Sequence, residues 1–555
     1  MRNKTILILG AGQIGEACAL KSIKNNPKRI ILHTLTKKEA VVVFKNIQAN
    51  LGDCNIDIQI SWGNALVTKK LMNLNRDELH VSENRKELIR YYYSYLSDDL
   101  IKESSLYYLV KKWKPDYIFD GINTATVVGY QDDPYSLPRR ILNKGDKKQD
   151  WCDSTENLLV SNIVPSLIRF TQALKKSLLD FKVKCYVKVS TTGLGGMGDN
   201  LFYTHGDVNE PGMSSGILGK VAAAGVIHQL FWGLSHTPGI NVKVVVPAAL
   251  VGWQGVGFGQ FRSHGRGIPL VDSKTKTKLV SGEVFVPGKC EQISTFMEMP
   301  YVDSGENCAY SLGEMTAITA LGQMECVTRE EVAQACIEMA IGSTRHDLLT
   351  AMDLVALGPS HLGGIQRRII LDRLTGLEVK NSIPSIATNN LGPTVSKHLF
   401  EIYLMLACSQ KSLSVLVKSS SGALVKKINK FLEDNQQVRS QIVSLGLPII
   451  FNDDHVTAGE YFYVPNIKEE NIISTKNIDL WANSGWIDLR EKNIKYWQSI
   501  IKKILTESKK DGASGLIATD RNYIDIENAD IGEILGYVYS MLGGQRKTEF
   551  LKSLF

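Results

Sequence analysis

No C-x-x-C pair occurs among the nine cysteines of this 555-residue chain, and no two of its ten histidines stand at H-x-x-x-H or similar ligand spacing. Scattered in this way, the cysteines suggest neither a disulfide framework nor a zinc site. A reducing, cytoplasmic compartment fits. Apolar runs long enough to span a bilayer are missing, so no spanning helix is expected. The apolar stretch near Met1 ends in a glycine loop and not in a cleavage site, so no signal peptide is expected either. Repeats and low-complexity tracts are absent. A large excess of one sign of charge is lacking: the net charge is +7 with 22% charged residues. That balance gives no reason to expect nucleic acid or a membrane surface as partner, while it suits an anionic small molecule. What remains, at 44% hydrophobic residues, is the composition of a globular enzyme of several domains.

The organising stretch is Thr5-Ile-Leu-Ile-Leu9-Gly10-Ala-Gly12-Gln-Ile-Gly15. Five β-branched or apolar residues read as a strand buried on both faces. Glycines follow at once, spaced G-x-G-x-x-G, and Gln13 to Asn25 reads as a helix. Gly10 permits the tight turn, Gly12 lets the backbone approach a pyrophosphate, and Gly15 lets the helix pack on the strand. The N–H groups of the helix start, at Gln13 and Ile14, then face the phosphates. This context of strand, glycines and helix is what gives the motif its weight.

Further strands are expected at Arg29–Thr34, Ile56–Ile60, Asp116–Asp120, Lys182–Val189 and Val242–Val246, with helices between them. Six strands alternating with helices predict one α/β doubly wound parallel sheet, a Rossmann arrangement. Where such sheets carry an acid for the adenosine ribose, this chain has His33-Thr34-Leu35-Thr36-Lys37-Lys38. Its hydroxyls and lysines suit a 2′-phosphate, which favours NADP, with NAD as the alternative; a solvated surface lysine pair is the bland reading. The fourth strand stops on Asn123-Thr124-Ala125, small residues that leave room for a cofactor in the crevice.

This pattern resembles the short-chain dehydrogenase/reductase superfamily, in particular its extended, nucleotide-sugar epimerase-like branch. The matching pieces are Gly10-Ala-Gly12-Gln-Ile-Gly15, Gly63-Asn64, Asn123-Thr124-Ala125, Ser190-Thr191-Thr192, Lys220 opening a helix, and Pro247 to Gly252. The resemblance implies that Gly63-Asn64 lies by the adenine and that the Asn123 turn borders a ribose. It implies that Thr192 positions the substrate oxygen and that Lys220 holds the nicotinamide ribose. The expected cofactor side thus comprises Gly10, Gly12, Gln13, Ile14, Gly15, Thr34, Thr36, Lys37, Gly63, Asn64, Asn123, Thr124, Ala125, Lys220 and Pro247; the catalytic side comprises Thr192, Lys220 and Tyr203.

One departure is serious. The family's tyrosine lies four residues before its lysine, on the same helix face. Here that position is Gly216, which has no side chain to donate a proton. Tyr203 and His205, between the fifth strand and the lysine helix, are the substitutes within reach of the sequence. Thr192 is followed by Gly193 and Leu194 and not by acids, which argues against a dehydratase.

The second half is less legible. Thr328-Arg-Glu-Glu331 reads as a capping box opening a helix through Ala340. Leu357 to Arg368 reads as a glycine-lined anion loop with Arg367 and Arg368 as guanidinium donors. The domain reading is a dinucleotide-binding domain over 1–265, a substrate-side region over 266–394 and a C-terminal α/β or mainly helical domain over 395–555. The functional expectation is an atypical NAD(P)-dependent oxidoreductase acting on a carbonyl or alcohol, with a homo-oligomer compatible. The alternatives are a dinucleotide-binding sensor without turnover and an epimerase that retains its cofactor.

Overall fold

The computed structural model describes residues 1–51, 56–122, 148–190, 215–247, 255–263, 266–303, 309–320, 326–342, 353–357, 361–462, 472–507 and 529–541, with a few isolated positions between them. The chain divides into two compact units. The first comprises 1–196, 215–252 and 327–358; the second comprises 197–214, 253–326 and 359–555.

Seven parallel strands form the sheet of the first unit: β1 (Thr5–Leu9), β2 (Arg29–Thr34), β3 (Asp57–Trp62), β4 (Tyr117–Asp120), β5 (Cys185–Val189), β6 (Val242–Pro247) and β7 (Asp353–Leu357). Their spatial order is β3-β2-β1-β4-β5-β6-β7. The six strands expected from the sequence are all present. The seventh arrives from more than a hundred residues downstream and pairs with β6, Leu354 opposite Val244 and Ala356 opposite Val246. Strand order reverses between β1 and β4, and at such a switch point the loops beyond the strand ends part to form a crevice.

Helices α1 (Gln13–Ile23), α2 (Lys37–Ala49), α3 (Ser82–Tyr93), α4 (Ser105–Trp113), α5 (Lys148–Ser161), α6 (Ile163–Asp180), α7 (Ser215–Ser235) and α8 (Arg329–Ile341) belong to this unit. Leu106, Leu109, Phe170, Leu174, Ile227 and Phe231 of α4, α6 and α7 bury against Leu7, Leu9, Tyr186 and Val244. On the other face α8 packs on α1 and on β5 and β6. Thr328 caps α8 as expected: its hydroxyl accepts the Glu331 N–H at 3.1 Å, and Glu331 returns a bond to the Thr328 N–H at 2.9 Å. Such a cap is worth about 1 kcal/mol.

The second unit is largely helical, built on His361–Asn381, Pro393–Ala407, Ser421–Asp434, Glu491–Glu507 and Ile531–Met541, with small sheets at 255–310 and 277–488. Pro393 sits at the helix start, where its missing N–H costs nothing. The helix it opens is buried on nearly every side, and it carries an ion pair in its middle, Lys397 to Glu401 at 3.1 Å. The Glu401 carboxylate also accepts the Trp497 indole N–H at 2.8 Å and the Asp488 N–H at 2.7 Å, so its desolvation is compensated. Burial nevertheless raises the Glu401 pKa. Among the described residues no helix is long and apolar enough to cross a membrane.

Candidate functional site: a crevice at the strand ends

The three glycines behave as their spacing implies, each for a different reason. Gly10 has φ +68°, and a Cβ there would lie 2.7 Å from the Ile122 nitrogen, so the turns leaving β1 and β4 touch backbone to backbone. A Cβ on Gly15 would meet the Gly10 carbonyl oxygen at 2.7 Å. Gly12 is the opposite: nothing lies within 4 Å of its Cβ position. It is also the N-cap of α1 and offers no side-chain capping bond, which leaves first-turn N–H groups to a ligand. The Gln13 side-chain nitrogen beside it is buried without a hydrogen-bond partner. An open backbone face, an uncapped helix start and an orphan donor fit a diphosphate.

Around this loop lies a cavity of about 630 Å³. Gly10, Ala11 and Gly12 line it, with Thr34, Leu35, Thr36, Lys38 and Glu39 from the end of β2, Gly63 to Leu66 beyond β3, and Gly121 and Ile122 beyond β4. All belong to the first unit.

His33 ties the crevice together. It is 1% exposed. Its Nε2 lies 2.9 Å from the Gly63 carbonyl and its Nδ1 lies 3.1 Å from the Ser61 hydroxyl. A carbonyl only accepts, so Nε2 carries the proton and Nδ1 accepts from Ser61. Burial holds the imidazole neutral, with its pKa lowered to about 4. Gly63 takes φ +122°, and a side chain there would collide with Met72. Asn64 is buried, and its amide oxygen accepts the Leu66 N–H at 2.9 Å.

Beneath the mouth sits a buried polar cluster. Asp120, at the end of β4, accepts the Ile122 N–H at 2.8 Å and lies 3.1 Å from the Lys188 ammonium. It also accepts the Tyr186 hydroxyl. Lys188 donates onward to the Ile122 carbonyl at 2.6 Å, so both ends of the residue that abuts Gly10 are fixed. Burial and Asp120 push the Tyr186 phenol well above its usual range. Burial and then Lys188 lower the pKa of His228 on α7.

The expected site residues fare differently. Gly10, Gly12, Thr34, Thr36, Gly63 and Asn64 line one cavity. Gln13, Ile14 and Gly15 form the first turn of α1. Thr36, however, is engaged as the N-cap of α2 in a reciprocal box with Glu39, at 3.3 and 3.1 Å. Lys37 lies over the Trp62 ring, 5.4 Å from its centroid, and its neighbour Lys38 lines the cavity instead. Lys220 lies in α7, but this helix begins at Ser215, so the lysine is in its second turn, not its first. Pro247 closes β6 opposite Leu357. Asn123, Thr124, Ala125, Thr192, Tyr203 and His205 lie outside the described residues, as does the side chain of Lys220. The anion loop expected before Arg368 is overturned in part. Both arginines lie on the helix His361–Asn381, where Arg367 donates to Thr319 at 2.7 Å and meets Glu533, and Arg368 approaches Asp372. Among the described residues no group of three or more His, Cys, Asp or Glu side chains is placed to hold a metal ion.

Comparison with known proteins bears on the downstream region. Residues 271–543 match the beta-methylindole-3-pyruvate reductase C-terminal domain family. That span is just under half of the chain and covers most of the second unit. No curated protein matches. Among solved structures the chain is similar to a short-chain dehydrogenase/reductase from Serratia marcescens, at 8% identity and TM-score 0.30 over 64% of this chain and 96% of that one. It is similar to the MalC reductase/Diels-Alderase from Malbranchea aurantiaca, at 13% and 0.31 over 64% and 95%. Levodione reductase matches at 10% and 0.31, over 66% and 99%. These structures bear the name of the superfamily, or of reductases, that the sequence motifs resemble. At such scores they carry no argument about this chain, whose doubly wound fold rests on its own strand order.

Proposed function

We propose that the first unit binds NADP(H) across the ends of β1 to β4 and that the chain is an oxidoreductase for a carbonyl or alcohol substrate. The observation that carries this reading is the contrast among the glycines: Gly10 and Gly15 are walled in by backbone, while Gly12 faces open space at an uncapped helix start. The reductase name of the family matched by residues 271–543 supports it. When bound, the nicotinamide supplies or accepts the hydride, and the protein supplies placement and electrostatics.

In this reading the α1 N-terminus holds the diphosphate, Gly63 and Asn64 border the adenine, and Thr34 and Lys38 face the ribose end. Neutral His33 keeps the Gly63 turn in place without adding charge. Thr192 orients the substrate oxygen, Lys220 holds a ribose hydroxyl, and Tyr203 supplies the proton. Fluorescence titration of the purified chain with NADPH and NADH tests the binding half of the proposal. Absence of affinity for either nucleotide refutes it. A Tyr203→Phe variant that turns substrate over at the wild-type rate removes Tyr203 from its role.

A second reading has an observation of its own. Gly216 and Lys220 share α7, four residues apart, so the helix that could present a tyrosine beside the lysine presents none. That favours a nucleotide-binding sensor. Tight NADPH binding with no oxidation across a broad carbonyl panel selects it.

A further inference from the structure

The second unit contains a cavity of its own, about 590 Å³ in volume, sharing no residue with the nucleotide crevice. That volume lies in the range of small-organic-ligand sites. Its walls come from four helices and the segments that flank three of them, all within the unit. Leu312, Ile383, Ile386, Leu406 and Ile531 make the apolar part.

Against that apolar wall stand two carboxylates, Glu378 and Asp530, with Tyr403 from the helix Pro393–Ala407 and the exposed Lys411. Among the described residues, no arginine lines this cavity. Glu378 accepts the Ser385 N–H. Asp530 accepts the N–H groups of Gly532 and Glu533 at 2.8 and 2.9 Å, which anchors it at the start of the helix Ile531–Met541. Burial raises the pKa of both, and each has a further acid adding to the effect: Asp530 for Glu378, Glu533 for Asp530. Asp530 is carried to about 6. Lys411 offsets only part of this, acting on Glu378 from a solvated position. The cavity is therefore short of one positive charge. A bound cation answers that deficit, whereas an anion adds a third negative charge to two that are already partly desolvated.

We propose that this cavity is a second ligand site, for a small organic ammonium: a primary amine on an apolar skeleton. The ammonium lies between Glu378 and Asp530, within reach of the Tyr403 hydroxyl, and the skeleton lies on Ile383, Ile386 and Leu406. The three N–H donors of an ammonium match an acceptor-rich wall, and the apolar body removes the exposed side chains from water.

The test uses three probes of one skeleton that differ in charge: phenethylamine, 2-phenylethanol and phenylacetate. Each is titrated calorimetrically into the full chain at pH 8. The expected result is that phenethylamine binds at least tenfold more tightly than either of the others. Glu378→Gln is expected to weaken it about tenfold and Leu406→Trp, which fills the cavity, to abolish it. Both variants are expected to leave the NADPH titration unchanged, which separates this site from the nucleotide crevice. Equal binding of the three probes overturns the proposal, as does a Glu378→Gln variant with undiminished amine affinity. No heat from phenethylamine up to millimolar concentration overturns it too, whatever the NADPH result. Asp530→Asn is avoided as the primary variant because Asp530 also starts a helix; melting curves check that Glu378→Gln and Leu406→Trp are folded.

Discussion

The His33 imidazole donates through Nε2 to the Gly63 carbonyl at 2.9 Å, fastening the end of one strand to the turn beyond the next. The other ring nitrogen, Nδ1, accepts from the Ser61 hydroxyl, and that second bond exists only while Nδ1 carries no proton. The folded pKa is depressed to about 4, against about 6.5 for a free histidine. The unfolded chain therefore binds a proton that the folded chain refuses. The stability contributed is complete above about pH 6.5 and is lost as the pH falls towards 4, an amount of roughly 3 kcal/mol. Urea unfolding midpoints measured from pH 4 to pH 8 are expected to fall through this window in the wild type. In His33→Gln the fall is expected to be shallower.

Two glycine substitutions are expected to separate folding from binding. Gly12→Asp adds atoms where nothing stands within 4 Å, so the melting temperature should change little. In the proposed binding mode the added carboxylate repels the diphosphate, and NADPH affinity should drop at least about tenfold. Gly10→Ala does the reverse: with φ +68° and the Ile122 nitrogen in its way, it should cost about 1–3 kcal/mol of stability. A thermal melt beside a fluorescence titration reads both.

Lys188→Met should be strongly destabilising, by about 3–5 kcal/mol, because it strands the buried Asp120 carboxylate. The paired variant Asp120→Asn with Lys188→Met should recover part of that loss. A denaturation double-mutant cycle measures the coupling, and additive losses would show the pair to be energetically idle.

Nucleotide choice should follow Lys38 and not Lys37. Lys38 lines the crevice, whereas Lys37 is held over Trp62. Lys38→Ala should weaken NADPH about fivefold, the size expected of a solvated ion pair, and leave NADH unchanged. Equal losses for the two nucleotides would remove the 2′-phosphate from the assignment.

The glycine turn at the mouth of the strand-end crevice was legible because its requirements are local. A turn that needs positive φ, an open cap and a close helix contact each demand glycine, and all three fall within six residues. The capping role of Thr36 was missed, although the spacing Thr36-x-x-Glu39 carries it, because a hydroxyl just beyond a second strand reads equally as a phosphate contact. What could not be read were partners distant in sequence. Asp120 and Lys188 stand 68 residues apart, and neither carries a motif. The pairing of Arg367 with Thr319 and Glu533 likewise depends on how helices assemble. Glycines before two arginines look like an anion loop until the helix turns the guanidinium groups towards protein oxygens.

The late arrival of Asp353–Leu357 beside Val242–Pro247 has a practical cost for anyone dissecting the chain. A fragment stopped near Gly252 retains six strands but leaves Val244 and Val246 on a bare margin, with ladder groups that the missing segment normally occupies. Such margins recruit other chains, so the fragment should precipitate. Soluble material calls for a splice that rejoins 327–358 to the amino-terminal portion, restoring the border strand while omitting everything between.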